Sequence, residues 1–208
     1  FSVDSGSNYT TGTGTSFTVS EGTYADGDIL VRQIDEAGNV SPDAQLGSSV
    51  TIDTTAPQMS SADYDGDTVT ITYSEVLDSA PESGDFTVTL DDDSTVNVST
   101  VSLGTGGDAD KVTLTLDSAI AADRTIKSIE YTQSQGASDS VKDLAGNAAT
   151  DQTLSSNISD GTAPTITTVA IDSATGVQNS LLNAGDVVTV SVDFSEPVAV
   201  NTSNDIPE

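Results

Sequence analysis

The chain contains no cysteine, no histidine and no tryptophan, and each absence excludes a class of structure or chemistry. Without cysteine, disulfide bonds do not stabilise the fold. Without histidine, the many serine hydroxyls have no imidazole partner for a catalytic triad. Pairs of carboxylates hydrolyse sugars in some enzymes, but a tryptophan platform for a sugar is missing here. The residue types therefore predict a protein that is not an enzyme.

Basic residues are also scarce, because only 5 lysines and arginines stand against 33 aspartates and glutamates. The formal net charge of −28 repels nucleic acids and anionic membranes, so neither is an expected partner. No apolar run is long enough to cross a bilayer, and no signal peptide is recognisable. Dense carboxylates instead suit hard cations, which prefer oxygen ligands. The alternative is that the charge only keeps the protein soluble.

Apolar and polar residues alternate strictly in four segments, which are Thr68–Tyr73, Phe86–Leu90, Val112–Leu116 and Val188–Phe194. A period of two indicates β-strands with one buried face. Many short strands with turn-rich breaks between them predict an all-β, antiparallel sandwich. The residues expected to face the core are Val69, Ile71, Tyr73, Val88, Leu114, Leu116 and Ile129.

One short phrase occurs twice. The loops 35–39 and 143–147 both read Asp-x-Ala-Gly-Asn and begin 108 residues apart, and the Ala-Pro junctions that follow them lie 107 residues apart. A repeat of that length is typical of Ig-like sandwiches. We therefore expect tandem Ig-like antiparallel β-sandwiches, in which one complete domain is flanked by two partial ones. Residues 1–57 are the C-terminal part of one repeat, 58–162 the complete domain, and 163–208 the N-terminal part of a third repeat.

The same patterns predict where the strands lie. The complete domain is expected to have seven strands, with its later strands at 86–90, 96–103, 111–116, 125–132 and 153–158. In the first segment, strands are expected at Ser16–Ser20, Ile29–Ile34 and Val50–Asp53. Each partial domain should expose one apolar face unless another part of the protein covers it.

Three acidic residues are expected to meet at one pole of the complete domain. The first strand leaves the linker at Asp53 and the second returns, so Glu75 lies at the linker end. In a seven-stranded Ig-type order the loop that begins at Asp143 lies at the same end. Three carboxylates in one place repel one another without a cation, and Ca²⁺ takes about 6–8 oxygen ligands, including carbonyls and waters. The sequence therefore predicts a calcium site, with Asn147 of the same loop among the candidate ligands.

Equivalent residues occur near the other junctions. Asp160 in the second linker corresponds to Asp53 in the first. Glu196 lies at the end of a strand, as Glu75 does. Asp35 and Asn39 repeat the loop and are expected to face an earlier linker. Asp-x-x-Gly-Asn is also a good turn sequence by itself, because Asp and Asn bond their own backbone and glycine adopts positive φ. Plain turns are therefore the alternative to calcium sites.

Several segments resemble the bacterial Ig-like tandem repeats of giant repeats-in-toxin (RTX) surface adhesins, including those of ice-binding marine bacteria. The resemblance lies in residues 16–24, 31–41, 69–77, 143–148 and 192–198. It implies secretion by a type I system, folding driven by calcium outside the cell, and a location on the surface of a Gram-negative bacterium. It also implies that calcium between domains stiffens the array.

The expected function is therefore a calcium-rigidified extender segment that projects or presents a ligand-binding domain of an adhesin. Its expected partners are the neighbouring Ig-like domains of the same chain and, through adjacent domains, a cell-surface glycan or peptide. The alternative is an adhesive module that itself binds a glycan or peptide ligand.

Overall fold

The structure is a computed structural model, and it describes residues 1–12, 14–79, 81–133, 140–178 and 181–198. Its regular elements are almost all β-strands, as the sequence predicts; the described residues add only short 3₁₀ turns at Ser83–Asp85 and Gly106–Asp108. Among these residues, no helix is long and apolar enough to cross a membrane.

The N-terminal segment contains two short antiparallel strand pairs. Its strands are β1 (Gly22–Tyr24), β2 (Leu30–Val31), β3 (Ala44–Gln45) and β4 (Val50–Ile52), and β1 pairs with β4 while β2 pairs with β3. The strand expected at 16–20 is wrong, because these residues join no hydrogen-bonded ladder. The strand expected at 29–34 shortens to β2, with Ile34 in an isolated bridge to Val40. Alternation alone does not make a strand where no neighbouring strand is available.

Two β-sheets enclose the core of the central region. Its strands are β5 (Met59–Asp65), β6 (Thr68–Tyr73), β7 (Leu77–Ser79), β8 (Phe86–Leu90), β9 (Thr95–Val96), β10 (Val98–Leu103), β11 (Lys111–Leu116), β12 (Ile126–Tyr131), β13 (Lys142–Asp143), β14 (Gln152–Leu154) and β15 (Ile158–Asp160). The five-stranded sheet has the order β10-β11-β6-β5-β15, and the four-stranded sheet has the order β14-β12-β8-β9. A separate pair, β7 and β13, lies at the end of the domain that carries the first linker.

The core is built from the inward face of each strand. In β6 and β11 buried and partly exposed residues alternate along the whole strand, as the period of two predicts. All seven residues expected to face inward are buried, and they pack in one cluster with aromatic residues such as Phe86 and Tyr131. Burial of Val, Ile and Leu side chains stabilises the domain by roughly 1.5–3 kcal/mol each.

Two of the predicted strands divide between the sheets. The strand expected at 96–103 breaks at Asn97, so that β9 borders one sheet and β10 the other. The strand expected at 153–158 divides in the same way into β14 and β15, and β15 runs parallel to β5. A chain that bends from one sheet to the other closes the side of a sandwich. The count of seven strands is therefore too low for this domain.

The C-terminal segment forms a single antiparallel hairpin of β16 (Ile166–Ala174) and β17 (Val188–Phe194). The second strand lies where the alternation predicts it. Apolar side chains on both strands remain exposed, among them Ile171 at 68% and Val190 at 50%. Within the described residues this hairpin has no opposing sheet. The division of the chain at 57 and 162 stays a prediction.

Candidate metal centre

Three carboxylates converge at the first junction. Asp53 follows β4, Glu75 follows β6, and Asp143 ends β13, so three separate parts of the chain supply them. One carboxylate oxygen of each residue lies within 4.8 Å of the others. The hairpin β5–β6 explains the meeting of Asp53 and Glu75, because it returns the chain to its starting end. The β7–β13 pair brings Asp143 to the same end.

The Asp143 loop is a tight turn that its own side chains hold. The Asp143 Oδ1 atom accepts hydrogen bonds from the backbone N–H groups of Ala145 and Asn147, both at 2.8 Å. The Asn147 side chain donates to Asp143 Oδ2 at 2.7 Å. Gly146 has φ of +92°, a region that glycine enters without strain. The short sequence thus fixes the direction of the Asp143 carboxylate.

Asn147 also joins this loop to the linker. Its side-chain nitrogen donates a second hydrogen bond, to the backbone carbonyl of Asp53 at 3.1 Å. Farther along, the Gln152 side chain donates to the carbonyl of the buried Pro57 at 3.3 Å. The linker is therefore fixed against the central domain at two points.

Burial and nearby negative charge both disfavour the charged form of Glu75. Its Oε1 atom is buried and has no hydrogen-bond partner among the described residues. Burial, and then the negative charges of Asp143 and Asp53, raise the pKa of Glu75. Burial also acts to raise the pKa of Asp143, but hydrogen bonds from the side chain and backbone of Asn147 outweigh it, and this pKa is lowered. The site therefore concentrates negative charge and leaves one buried oxygen unsatisfied.

All donor atoms of this cluster are oxygens. Hard cations such as Ca²⁺ and Mg²⁺ prefer carboxylate and carbonyl oxygen, whereas zinc and copper sites usually contain His or Cys. Beside the carboxylates lies an open groove of about 390 Å³, lined by residues of the N-terminal segment, the linker and the central domain. The residues thus fit a hydrated cation with room for water ligands.

At the second junction the structure brings together fewer of the predicted residues. Asp160 accepts a hydrogen bond from the Thr162 N–H at 2.9 Å, as Asp53 does from Thr55 at 3.0 Å. Glu196 has a buried Oε1 atom without a partner in the described part of the chain. Tyr64 lies near both residues. Burial, the charge of Asp160 and a hydrogen bond to Asp160 raise the pKa of Tyr64 to about 12. Within the described residues, three acidic groups converge only at the first junction.

The first copy of the repeated loop lies apart from any such cluster. Asp35 accepts from the backbone and side-chain nitrogens of Asn39 at 2.7 and 2.8 Å. Both residues are exposed, and among the described residues they belong to no group of three converging acidic side chains. Their assignment as metal ligands stays a prediction.

Sequence reasoning missed a third loop of this kind at Asp4. The Asp4 carboxylate accepts from the Asn8 backbone at 2.9 Å and from the Asn8 side chain at 2.6 Å. Hydrogen bonds from Ser2 and then Asn8 lower its pKa to about 2. The signal was available, because Asp4-Ser5-Gly6-Ser7-Asn8 has the same Asp-to-Asn spacing with a glycine between them.

Comparison with known proteins gives one family match and a distant structural likeness. Residues 52–136 match the SWM repeat, described as "Putative flagellar system-associated repeat". No curated protein matches the sequence. The matched family is not described as an RTX adhesin.

The solved structures that resemble this chain include three of the bacterial surface-layer (S-layer) protein SbsC. Its N-terminal part shares 16% identity with a TM-score of 0.41, over 56% of this chain and 26% of that one. The structure of domains 1–6 shares 16% identity with a TM-score of 0.43, over 57% of this chain and 15% of that one. This chain thus spans about a quarter or less of those proteins, and likeness at this level carries no conclusion about function.

Proposed function

We propose that this chain is a non-enzymatic extender segment of a bacterial surface protein, and that Ca²⁺ stiffens its domain junctions. The observation that carries the proposal is the convergence of Asp53, Glu75 and Asp143, with oxygens within 4.8 Å of one another and one buried oxygen unsatisfied. A cation would neutralise this repulsion and satisfy that oxygen. The finer proposal, from the resemblance of the sequence, is that the parent protein is an RTX adhesin.

Calcium fits this set of donors better than other cations. Ca²⁺ accepts about 6–8 oxygen ligands in flexible geometry, whereas Mg²⁺ requires a small, regular octahedron. The three carboxylates would supply part of the shell and water the rest. Asn147 would brace the ligands, because its amide nitrogen is bonded to Asp143 and to the Asp53 carbonyl. Extracellular calcium modules bind with Kd of about 10⁻⁴–10⁻³ M, which suits a partly exposed site outside the cell.

Calcium would stiffen the junction because its ligands come from both sides of a potential hinge. Asp53 directly follows β4, the last strand of the N-terminal segment, and Glu75 and Asp143 belong to the central domain. A bend at the linker would pull Asp53 away and break cation contacts. A cation that binds the straight state ten-fold better shifts the equilibrium by about 1.4 kcal/mol, so an even mixture becomes about nine-tenths straight.

Asp160 and Glu196 hold equivalent positions at the second junction, and we extend the proposal to them with a further ligand from outside the described residues. Asp35 and Asn39 would serve an earlier junction in the same way. The partners of the segment would be the neighbouring Ig-like domains of the same chain. The alternative, a module that itself binds a glycan or peptide, predicts ligand binding that survives mutation of the junction carboxylates.

Small-angle X-ray scattering of the whole chain tests the proposal. The maximum dimension should grow from chelator to millimolar calcium, while circular dichroism shows the same strand content. Asp143→Asn should abolish the growth, and the matched control Asp35→Asn, in the exposed copy of the loop, should retain it. If the maximum dimension does not change with calcium, the carboxylates serve solubility or local turns and the proposal is wrong.

A further inference from the structure

Glu21, a residue that the predicted calcium site does not include, holds the first linker from the N-terminal side. It lies directly before β1 and belongs to the segment that precedes the linker. The Thr54 hydroxyl donates to Glu21 Oε2 at 2.6 Å, and the Thr55 hydroxyl donates to Glu21 Oε1 at 3.0 Å. Both oxygens of one carboxylate therefore bind two successive linker residues.

The central domain holds the same linker from the other side. Asn147 donates to the carbonyl of Asp53, the residue before Thr54, and Gln152 donates to the carbonyl of Pro57. Between these points the Thr55 N–H donates to the Asp53 carboxylate at 3.0 Å and closes a small turn. A continuous set of hydrogen bonds between protein atoms thus crosses the junction from Glu21 to the Asp143 loop.

We propose that Glu21 is a metal-independent latch, which orders the linker through Thr54 and Thr55 and fixes the N-terminal segment against it. The latch limits bending when calcium is absent and holds Asp53 near Glu75 and Asp143 before a cation arrives. The latch requires no cation, so it can be tested independently of the proposed calcium site.

The second junction has a similar contact, with a different acid and one threonine instead of two. Thr162, which corresponds to Thr55, donates its hydroxyl to the carboxylate of Asp65 at 3.4 Å. Its N–H closes the same turn on Asp160 that Thr55 closes on Asp53. Asp65 belongs to the domain before the second linker, as Glu21 belongs to the segment before the first. Two junctions thus use an acid of the preceding unit and a linker threonine, with the longer contact at the second.

Distances between paired spin labels across the first junction test the latch. The chain has no cysteine, so Ala44→Cys and Thr87→Cys introduce two unique labelling positions, both exposed, one on each side of the linker. The measurement is the distance distribution in chelator. Thr54→Val combined with Thr55→Val removes both hydroxyls and retains side-chain shape and the Glu21 carboxylate. The matched control is Thr51→Val, whose hydroxyl pairs with Thr23 inside the β1–β4 pair.

In the wild type we expect a narrow distribution of distances. The distribution should broaden in the double threonine variant and in Glu21→Ala, and the control should match the wild type. Thermal unfolding of the central domain should not change, because Glu21, Thr54 and Thr55 are exposed. An unchanged distribution in the double threonine variant overturns the latch. If Glu21→Ala instead weakens calcium binding in calorimetry and the threonine variant does not broaden the distances, Glu21 is a cation ligand and the latch is wrong. If no calcium binds but the latch variants broaden the distances, the latch stands and the proposed function fails.

Discussion

The loops at 35–39 and 143–147 have nearly the same internal structure. In each, the backbone N–H of the Asn donates to the Asp Oδ1 atom, at 2.7 Å in the first loop and 2.8 Å in the second. The Asn side chain donates to the other carboxylate oxygen at 2.8 and 2.7 Å. The glycine has φ of +89° in one and +92° in the other. Five residues thus suffice to encode the turn.

Their surroundings differ. Asp143 is 2% exposed, shares a pole with Glu75 and Asp53, and its partner Asn147 reaches the linker carbonyl. Asp35 and its loop are exposed, and the hydrogen bonds of Asn39 stay within the loop. The comparison teaches that the turn is local, whereas a candidate cation site arises only where a linker and a strand end pack against the turn.

The largest expected effect distinguishes the two loops by calcium binding. Asp143→Ala removes one of three converging carboxylates and should reduce the number of calcium ions bound per chain by one. Asp35→Ala removes an identical side chain from an exposed turn and should leave binding at the first junction unchanged. Isothermal titration calorimetry measures both. An unchanged stoichiometry in Asp143→Ala would mean that both loops are only turns.

A smaller effect is expected at the two asparagines. Asn147→Ala removes the brace between the loop and the Asp53 carbonyl, and loss of a residue that orients ligands typically lowers metal affinity by about 10–100-fold. Asn39→Ala breaks the same bonds within its loop but no bond to a linker, so calcium affinity at the first junction should not change. Unchanged calcium affinity in Asn147→Ala would show that the hydrogen bond from Asn147 to the linker does not support the site.

The alternation was sufficient to predict several strands of the core. Phe86–Leu90 and Lys111–Leu116 lie where period two puts them, because each has both a buried face and a neighbouring strand. The same alternation failed at 16–20, where no ladder forms. The alternation also did not reveal the bend at Asn97, because apolar and polar residues continue to alternate where a strand passes from one sheet to the other.

The convergence of Asp53, Glu75 and Asp143 could be predicted from chain reversal in a hairpin and the order of an Ig-type sandwich. The contacts of Glu21 could not, because they depend on how the N-terminal segment lies against the linker. The hydrogen bond from Asn147 to the Asp53 carbonyl involves a backbone group, which no side-chain pattern marks. Calcium binding itself stays a prediction.

The titration of Glu75 should sharpen the comparison further. In chelator its raised pKa means that repulsion and burial disfavour the charged form. Its contribution to stability is therefore greatest below the pKa of the unfolded chain and is lost as pH rises through the folded pKa. Asp143→Ala should lower the Glu75 pKa by removing a neighbouring charge, and Asp35→Ala should not. Carboxyl carbon shifts followed by NMR report this, and equal Glu75 pKa values in both variants would contradict the cluster.

The smallest expected effect should be the same in both loops. Gly38→Ala and Gly146→Ala each place a Cβ atom at positive φ, and that Cβ atom would meet no neighbouring atom within 4 Å in either loop. Backbone strain is then the dominant cost, and for an L-residue in this region it is about 1–2 kcal/mol. Alanine restricts the unfolded chain more than glycine does, which offsets part of this cost. The net loss is about 1 kcal/mol, or roughly a five-fold shift in local opening.

Hydrogen exchange at the two asparagines measures this loss in each loop. The N–H groups of Asn39 and Asn147, which donate to the aspartates, should exchange with deuterium about five-fold faster in the respective glycine variants. The two losses should agree in chelator, because the turn is local in both places. In calcium, Asn147 should regain protection while Asn39 does not, since among the described residues only the second turn meets two other carboxylates. Different losses of protection at Asn39 and Asn147 in chelator would show that the linker already supports the Asp143 turn without a cation.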